Sequence, residues 1–164
     1  MSIVRDLAAT WRAPVATMRR RIARATEPTA LATLMGASAL IFVAQWPRLA
    51  REAYVAPEVP LDARIGGALF GWIFIVPPAF YLIAAITCGA AKLLGGGRSG
   101  LSHRVALFWA LFASVPAWLF QGLAAGIAGP GPALTLAGAV ILAAFLGFWG
   151  AGLVAAERGQ GAPA

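Results

Sequence analysis

Residues 105–156 read VALFWALFASVPAWLFQGLAAGIAGPGPALTLAGAVILAAFLGFWGAGLVAA, 52 residues without one charged side chain, interrupted only by Gly129-Pro130-Gly131-Pro132. Two further charge-free runs precede it, 28–47 and 65–91. Water would leave that apolar surface unburied, whereas a bilayer accepts it. The hydrocarbon core is about 30 Å thick, and a helix needs about 20 apolar residues to cross it. The longest run exceeds one helix and suits two joined by a tight turn at the Gly-Pro repeat. Four spans are therefore predicted, at about 29–46, 65–90, 105–128 and 133–156. Within lipid the backbone must satisfy its own hydrogen bonds, which a helix does. A barrel would alternate polar and apolar residues, and these runs are apolar throughout. The expected fold is all-α, a polytopic transmembrane helical bundle.

Composition agrees, with 60% hydrophobic residues, 12% charged and a mean hydropathy of +0.79, outside the globular range. The chain divides into a basic N-terminal arm (1–28), the bundle (29–156) and a short flexible tail (157–164). The arm has six arginines and no apolar stretch long enough for a signal-peptide core, so the first span is expected to be retained as a signal anchor. A net charge of +7 and a pI near 11.3 invite nucleic acid as partner. The charges instead flank spans, with no recognition motif beside them. Anionic lipid is the simpler counterion, worth about 1 kcal/mol per arginine near the surface.

Orientation follows from where the charge lies. Arg5, Arg12, Arg19, Arg20, Arg21, Arg24, Lys92, Arg98, Arg104 and Arg158 fall on one side of the spans. Arg48, Arg51 and Arg64 fall on the other, offset by Glu52, Glu58 and Asp62. The positive-inside rule then places both termini in the cytoplasm.

In the arm, Val4, Leu7, Trp11, Val15, Met18 and Ile22 recur at helical spacing with arginines between them. This predicts an amphipathic interfacial helix, interrupted at Pro14, with Trp11, Arg19, Arg20, Arg21 and Arg24 in contact with lipid headgroups. Such an arm serves as a topological anchor or as a docking surface for a partner or curved membrane.

Small residues mark the predicted helix contacts: Gly67 with Gly71, Gly122 with Gly126, and the stripe Ala139, Ala143, Gly147, Ala151 and Ala155. The stripe suits either the internal bundle or a homo-oligomer. Pro47 is expected to stop the first span behind an interfacial Trp46, leaving an extended loop around Pro57 and Pro60. Pro77, Pro78 and Pro116 fall mid-span and predict kinks, with local unwinding at the Pro77-Pro78 pair. Trp109 is placed at belt depth and His103 in a solvated loop. Gln45 and Gln121 are the two amides of the spans, suited to one interhelical hydrogen bond or to a polar substrate contact.

No catalytic, cofactor-binding or metal-binding residues emerge. Cys88 and His103 are each unique, and the six acids are scattered. Ser38 and Ser114 have no intramembrane histidine to activate them. The glycine-rich stretch at 95–100 lacks the Gly-Lys-Ser/Thr ending of a phosphate loop.

Several pieces in order resemble the bacterial form of the Yip family, multi-pass membrane proteins first known for binding Ypt/Rab GTPases. They are the arginine-rich arm with Trp11 and Pro14, Tyr81-Leu82-Ile83-Ala84-Ala85, the glycine-rich loop 95–100, Phe108 through Pro116 with Ser114, and Phe148-Trp149. Family members often have five spans where four are counted here, and the tyrosine and glycine signatures of the eukaryotic members are absent. The resemblance implies a helical bundle of the bacterial inner (cytoplasmic) membrane with a non-catalytic, organising role. The expected function is that of a scaffold, accessory or organising subunit acting through helix packing on a membrane-protein partner or a second copy. A small transporter or channel with a site near the kinked helices is the alternative.

Overall fold

The computed structural model describes residues 3–95 and 99–157, and among these every regular element is helical. Two short helices, α1 (Ile3–Arg12) and α2 (Pro14–Arg24), precede α3 (Glu27–Val55). Then come α4 (Leu61–Phe70), a π-helical turn (Gly71–Ile75), α5 (Val76–Leu93), α6 (Gly100–Ala128) and α7 (Pro132–Glu157). Four units are long and apolar enough to cross a membrane: α3, the continuous α4–α5 unit, α6 and α7. The chain is a multi-pass α-helical membrane protein. Gly96, Gly97, Arg98 and the tail from Arg158 lie outside the described residues.

At 1.5 Å per residue, the 29 residues of α6 make a rod of about 43 Å, longer than the hydrocarbon core. It is the axis of the bundle. Just over half (56%) of its apolar window is buried, against 11% for α4–α5, which lies at the periphery. Phe108, Leu107, Leu111 and Val115 of α6 form one core with Leu34 and Ile41 of α3 and Ala84 of α5. Trp109, Ala110 and Ala113 form a second with Met18 of α2 and Phe148 and Ala155 of α7.

The tightest seam joins α3 to α6. A Cβ built on Gly122 would lie 1.8 Å from the Ala44 carbonyl oxygen, and one on Gly126 would lie 2.5 Å from Cβ of Pro47. Only glycine permits that approach. The predicted contacts at Gly67, Gly71 and Gly147 are absent, because nothing stands within 4 Å of a Cβ at any of them. Ala139 and Ala143 also face outward, and Ala151 is half-buried. Of the α7 stripe, Ala139, Ala143 and Gly147 therefore do not serve the internal bundle, whereas Ala155 at its end does. The packed face of α7 is offset from these three, on Ile141, Phe148 and Gly152, and meets the stripe only at Ala155, with Gly152 set against Ala106.

Pro47 does not end the first span, which continues to Val55. Its ring sits over Gly126, where a side chain would collide, and the following turns are held by one local bond and one to α6. Arg48 donates to Gln45 Oε1, and the Arg51 guanidinium donates to the Ile127 carbonyl at 3.2 Å. The helix ends one residue before Ala56-Pro57, since a residue preceding proline is pushed out of the α region. The expected long loop shrinks to residues 56–60, clamped by Arg64, whose guanidinium donates to the Ala56 and Val59 carbonyls.

Pro77 and Pro78 do not split the second span. They occupy the first turn of α5, where missing N–H groups cost least, and the preceding turn widens into a π-helix. Pro116 lies inside an unbroken α6. The closing turn between α6 and α7 needs glycine at 129, where φ is +76° and a Cβ would lie 2.6 Å from Arg51 Nε.

Gly122→Ala and Gly126→Ala force α3 away from α6 and should each lower stability by about 1–3 kcal/mol. Gly67→Ala and Gly71→Ala should leave stability unchanged or slightly raised, given the helix propensity of alanine. Thermal unfolding in detergent compares the pairs; equal losses in both would contradict the seam.

Candidate functional site

The N-terminal arm is built into the bundle. Ala13 alone separates α1 from α2, with Pro14 starting the second helix. The two fold back on each other, and Asp6 of α1 pairs with Arg21 of α2 at 3.0 Å. Their common face packs on α6 and α7, with Thr10, Thr17 and Met18 fully buried. The indole N–H of Trp109 donates to Thr10 Oγ1 at 2.9 Å, while Thr10 itself donates to the Asp6 carbonyl at 2.8 Å. Trp11 Nε1–H donates to the Ala113 carbonyl at 3.2 Å, and its ring meets Phe148 edge-on at 4.9 Å. Ala113 lies 13 residues into α6, so this helical wedge reaches roughly 20 Å along it.

The arm thus packs on the bundle along one face instead of standing apart from it. From Leu7 to Ile22 the apolar stripe found in the sequence packs on protein while Val4 stays exposed, and Trp11 is half exposed yet bonded to Ala113 and set against Phe148. Trp109 does not sit in a lipid belt but is enclosed, 1% exposed. Arg21 also turns inward, with its guanidinium carbon 3.5 Å from the Trp109 ring centroid. Such a cation–π contact is worth about 0.5–2 kcal/mol. Burial pulls Arg21 below its ordinary pKa, while Asp6, by charge and hydrogen bond, pushes it back up. Arg5, Arg12 and Arg19 remain on the outer face of the wedge.

One end of the bundle gathers the start of α3, the end of α5, the start of α6 and the end of α7, and here the wedge bounds a cavity of about 270 Å³. Arg20, Arg21 and Arg24 stand on its walls with Asp6, the one acid among its described lining residues, over an apolar floor. Nearby, Arg104 pairs with Glu27 across the α3–α6 seam and lies over the Tyr81 ring. His103 is not a solvated loop residue. It sits in the first turn of α6, 1% exposed, with Nε2 3.7 Å from a Glu157 carboxylate oxygen. Helix α6 starts earlier than the charge-free run does, and this draws His103 into the helix–helix interface.

Gln45 and Gln121 line a second cavity, also about 270 Å³, toward the opposite end. Each has its own partner on the cavity wall. Gln45 Oε1 accepts from Arg48, and the Gln121 amide donates to the Leu134 carbonyl at 3.4 Å. Cys88 is buried in α5, and the described residues hold no cluster of three or more metal-ligating side chains. Comparison with family models, curated proteins and solved structures returns no match.

Sequence reading missed Thr10 and Thr17, which passed for ordinary polar residues of an amphipathic helix. The available signal was Asp6, the one acid between Arg5 and Arg24, which marks a folded-back pair. Thr10→Val leaves the buried Trp109 N–H without its acceptor and should weaken wedge docking by about 1–3 kcal/mol. Spin labels at Ala16 and Ala124 read this as a broadened distance distribution; an unchanged distribution would show that the bond does not hold the wedge.

Proposed function

We propose that this chain is a non-enzymatic scaffold or accessory subunit of the Yip-like type, resident in a bacterial inner membrane with both termini cytoplasmic. It holds a membrane-protein partner or a second copy against its outer helices, while the basic wedge faces anionic headgroups. The observation that carries this reading is the outer wall of α4–α5, with open Gly66, Gly67 and Gly71 among outward Phe70, Phe74 and Leu82. Lipid tails are as apolar as leucine, so apolarity alone gives helices no reason to associate; small residues that admit close backbone contact do. The glycines of the α3–α6 seam are consumed inside the bundle, whereas these remain available. The ordered resemblance of the arm, of 81–85 and of 108–116 to the Yip family supports the same class. The charge asymmetry between the two ends supports the orientation.

Mild detergent extraction and affinity purification should recover a stoichiometric membrane partner or a homo-oligomer, lost on Gly67→Phe and Gly71→Phe. A monomer without partners, or recovery insensitive to both variants, would contradict it. Reporter fusions after residues 58 and 164 should give external and cytoplasmic signals respectively.

The cavity shared by Gln45, Arg48 and Gln121 favours a second reading, a small transporter or channel. The partners of both amides within the chain weigh against it. Proteoliposome flux that falls on Gln45→Ala or Gln121→Ala would move the balance to this reading.

A further inference from the structure

We infer that the cavity between the wedge and the start of α3 and α6 is a binding site for the phosphate headgroup of a single anionic phospholipid. The inference deepens the membrane placement proposed above, turning a diffuse basic surface into one defined site. Three features of the cavity carry it. Among the described lining residues are three guanidinium groups, Arg20, Arg21 and Arg24, and one carboxylate, Asp6, a formal balance that favours an anion. Guanidinium groups suit phosphate, since their N–H donors match its oxygens in pairs. Arg21 is fixed in place by Asp6 and the Trp109 ring, so part of the positive wall is preorganised.

The floor separates a lipid from a free anion. Thr33 lies six residues inside α3, and Val105 and Phe108 lie five and eight residues inside α6, all lining the same cavity. At 1.5 Å per residue the cavity reaches about 8–12 Å from the helix starts, the depth of the glycerol and upper acyl region. A solvated phosphate gains nothing from Val105 and Phe108, whereas a lipid places its glycerol and first methylenes there. Leu31, exposed on the adjoining surface of α3, continues the apolar path outward.

The test uses the full chain in detergent, with native mass spectrometry during titration of phosphatidylglycerol, phosphatidylcholine or inorganic phosphate. A 1:1 phosphatidylglycerol adduct is expected, retained at least ten-fold better than phosphatidylcholine and not displaced by millimolar phosphate. The double variant Arg20→Gln, Arg24→Gln should lose that preference, while Arg5→Gln, Arg12→Gln, on the same wedge outside the cavity, should keep it. Thr33→Phe leaves every arginine in place and fills the cavity, so it should also abolish the adduct; circular dichroism and gel filtration confirm folding of each. Equal retention of both lipids, an adduct surviving in Thr33→Phe, or equal loss in both arginine pairs would overturn the site. Displacement by inorganic phosphate would overturn the lipid as its ligand. None of these outcomes depends on a partner being recovered, so the site and the scaffold reading fail independently.

Discussion

Trp109 presents the bundle with a constraint that the arrangement of its N-terminal third answers. The side chain lies inside the protein, where its N–H has no water to turn to, and an unsatisfied donor there costs about 1–3 kcal/mol. Thr10 supplies the acceptor, which fixes α1 against α6. Arg21 covers a face of the same indole and is itself neutralised by Asp6, which fixes α2 against α1. One indole ring thus sets the position of two helices, and those helices form walls of the basic cavity.

The rest of the molecule divides by how closely backbones meet. Where α3 crosses α6, Gly122 and Gly126 bring main chains together, and dispersion between close surfaces holds helices that the hydrophobic effect does not drive together in lipid. The α4–α5 unit has no such seam and turns bulky side chains outward. The prolines fit this division: Pro47 rests over Gly126, and Pro77-Pro78 follow a widened turn that keeps the helix continuous. The protein has a rigid spine and a wall whose small residues remain uncommitted.

Much of this was legible in the sequence because hydrocarbon is a simple solvent. Absence of charge over 105–156, with a Gly-Pro turn inside it, dictates two helices whatever their neighbours. Gly122 and Gly126 were likewise readable as contact residues. Legibility failed where the deciding information lies in a partner helix. Gly67-x-x-x-Gly71 has the same spacing as Gly122-x-x-x-Gly126, yet only the second faces a helix of this chain. The arm's periodicity revealed an apolar face and not what covers it, since membrane and protein bury the same stripe. Pro47 and His103 were misplaced because local rules end a helix at a proline or a charge, while tertiary contacts carry it further.

The central claim, that the basic arm is an integral wedge of the bundle, is tested most directly by hydrogen–deuterium exchange of the intact protein in lipid nanodiscs. The amides of Leu7–Thr10 and Thr17–Ile22 should exchange as slowly as those of Val105–Ala113, because opening one requires lifting it from the other. Fast exchange in the arm beside a protected α6 would contradict the claim and return the arm to the membrane surface.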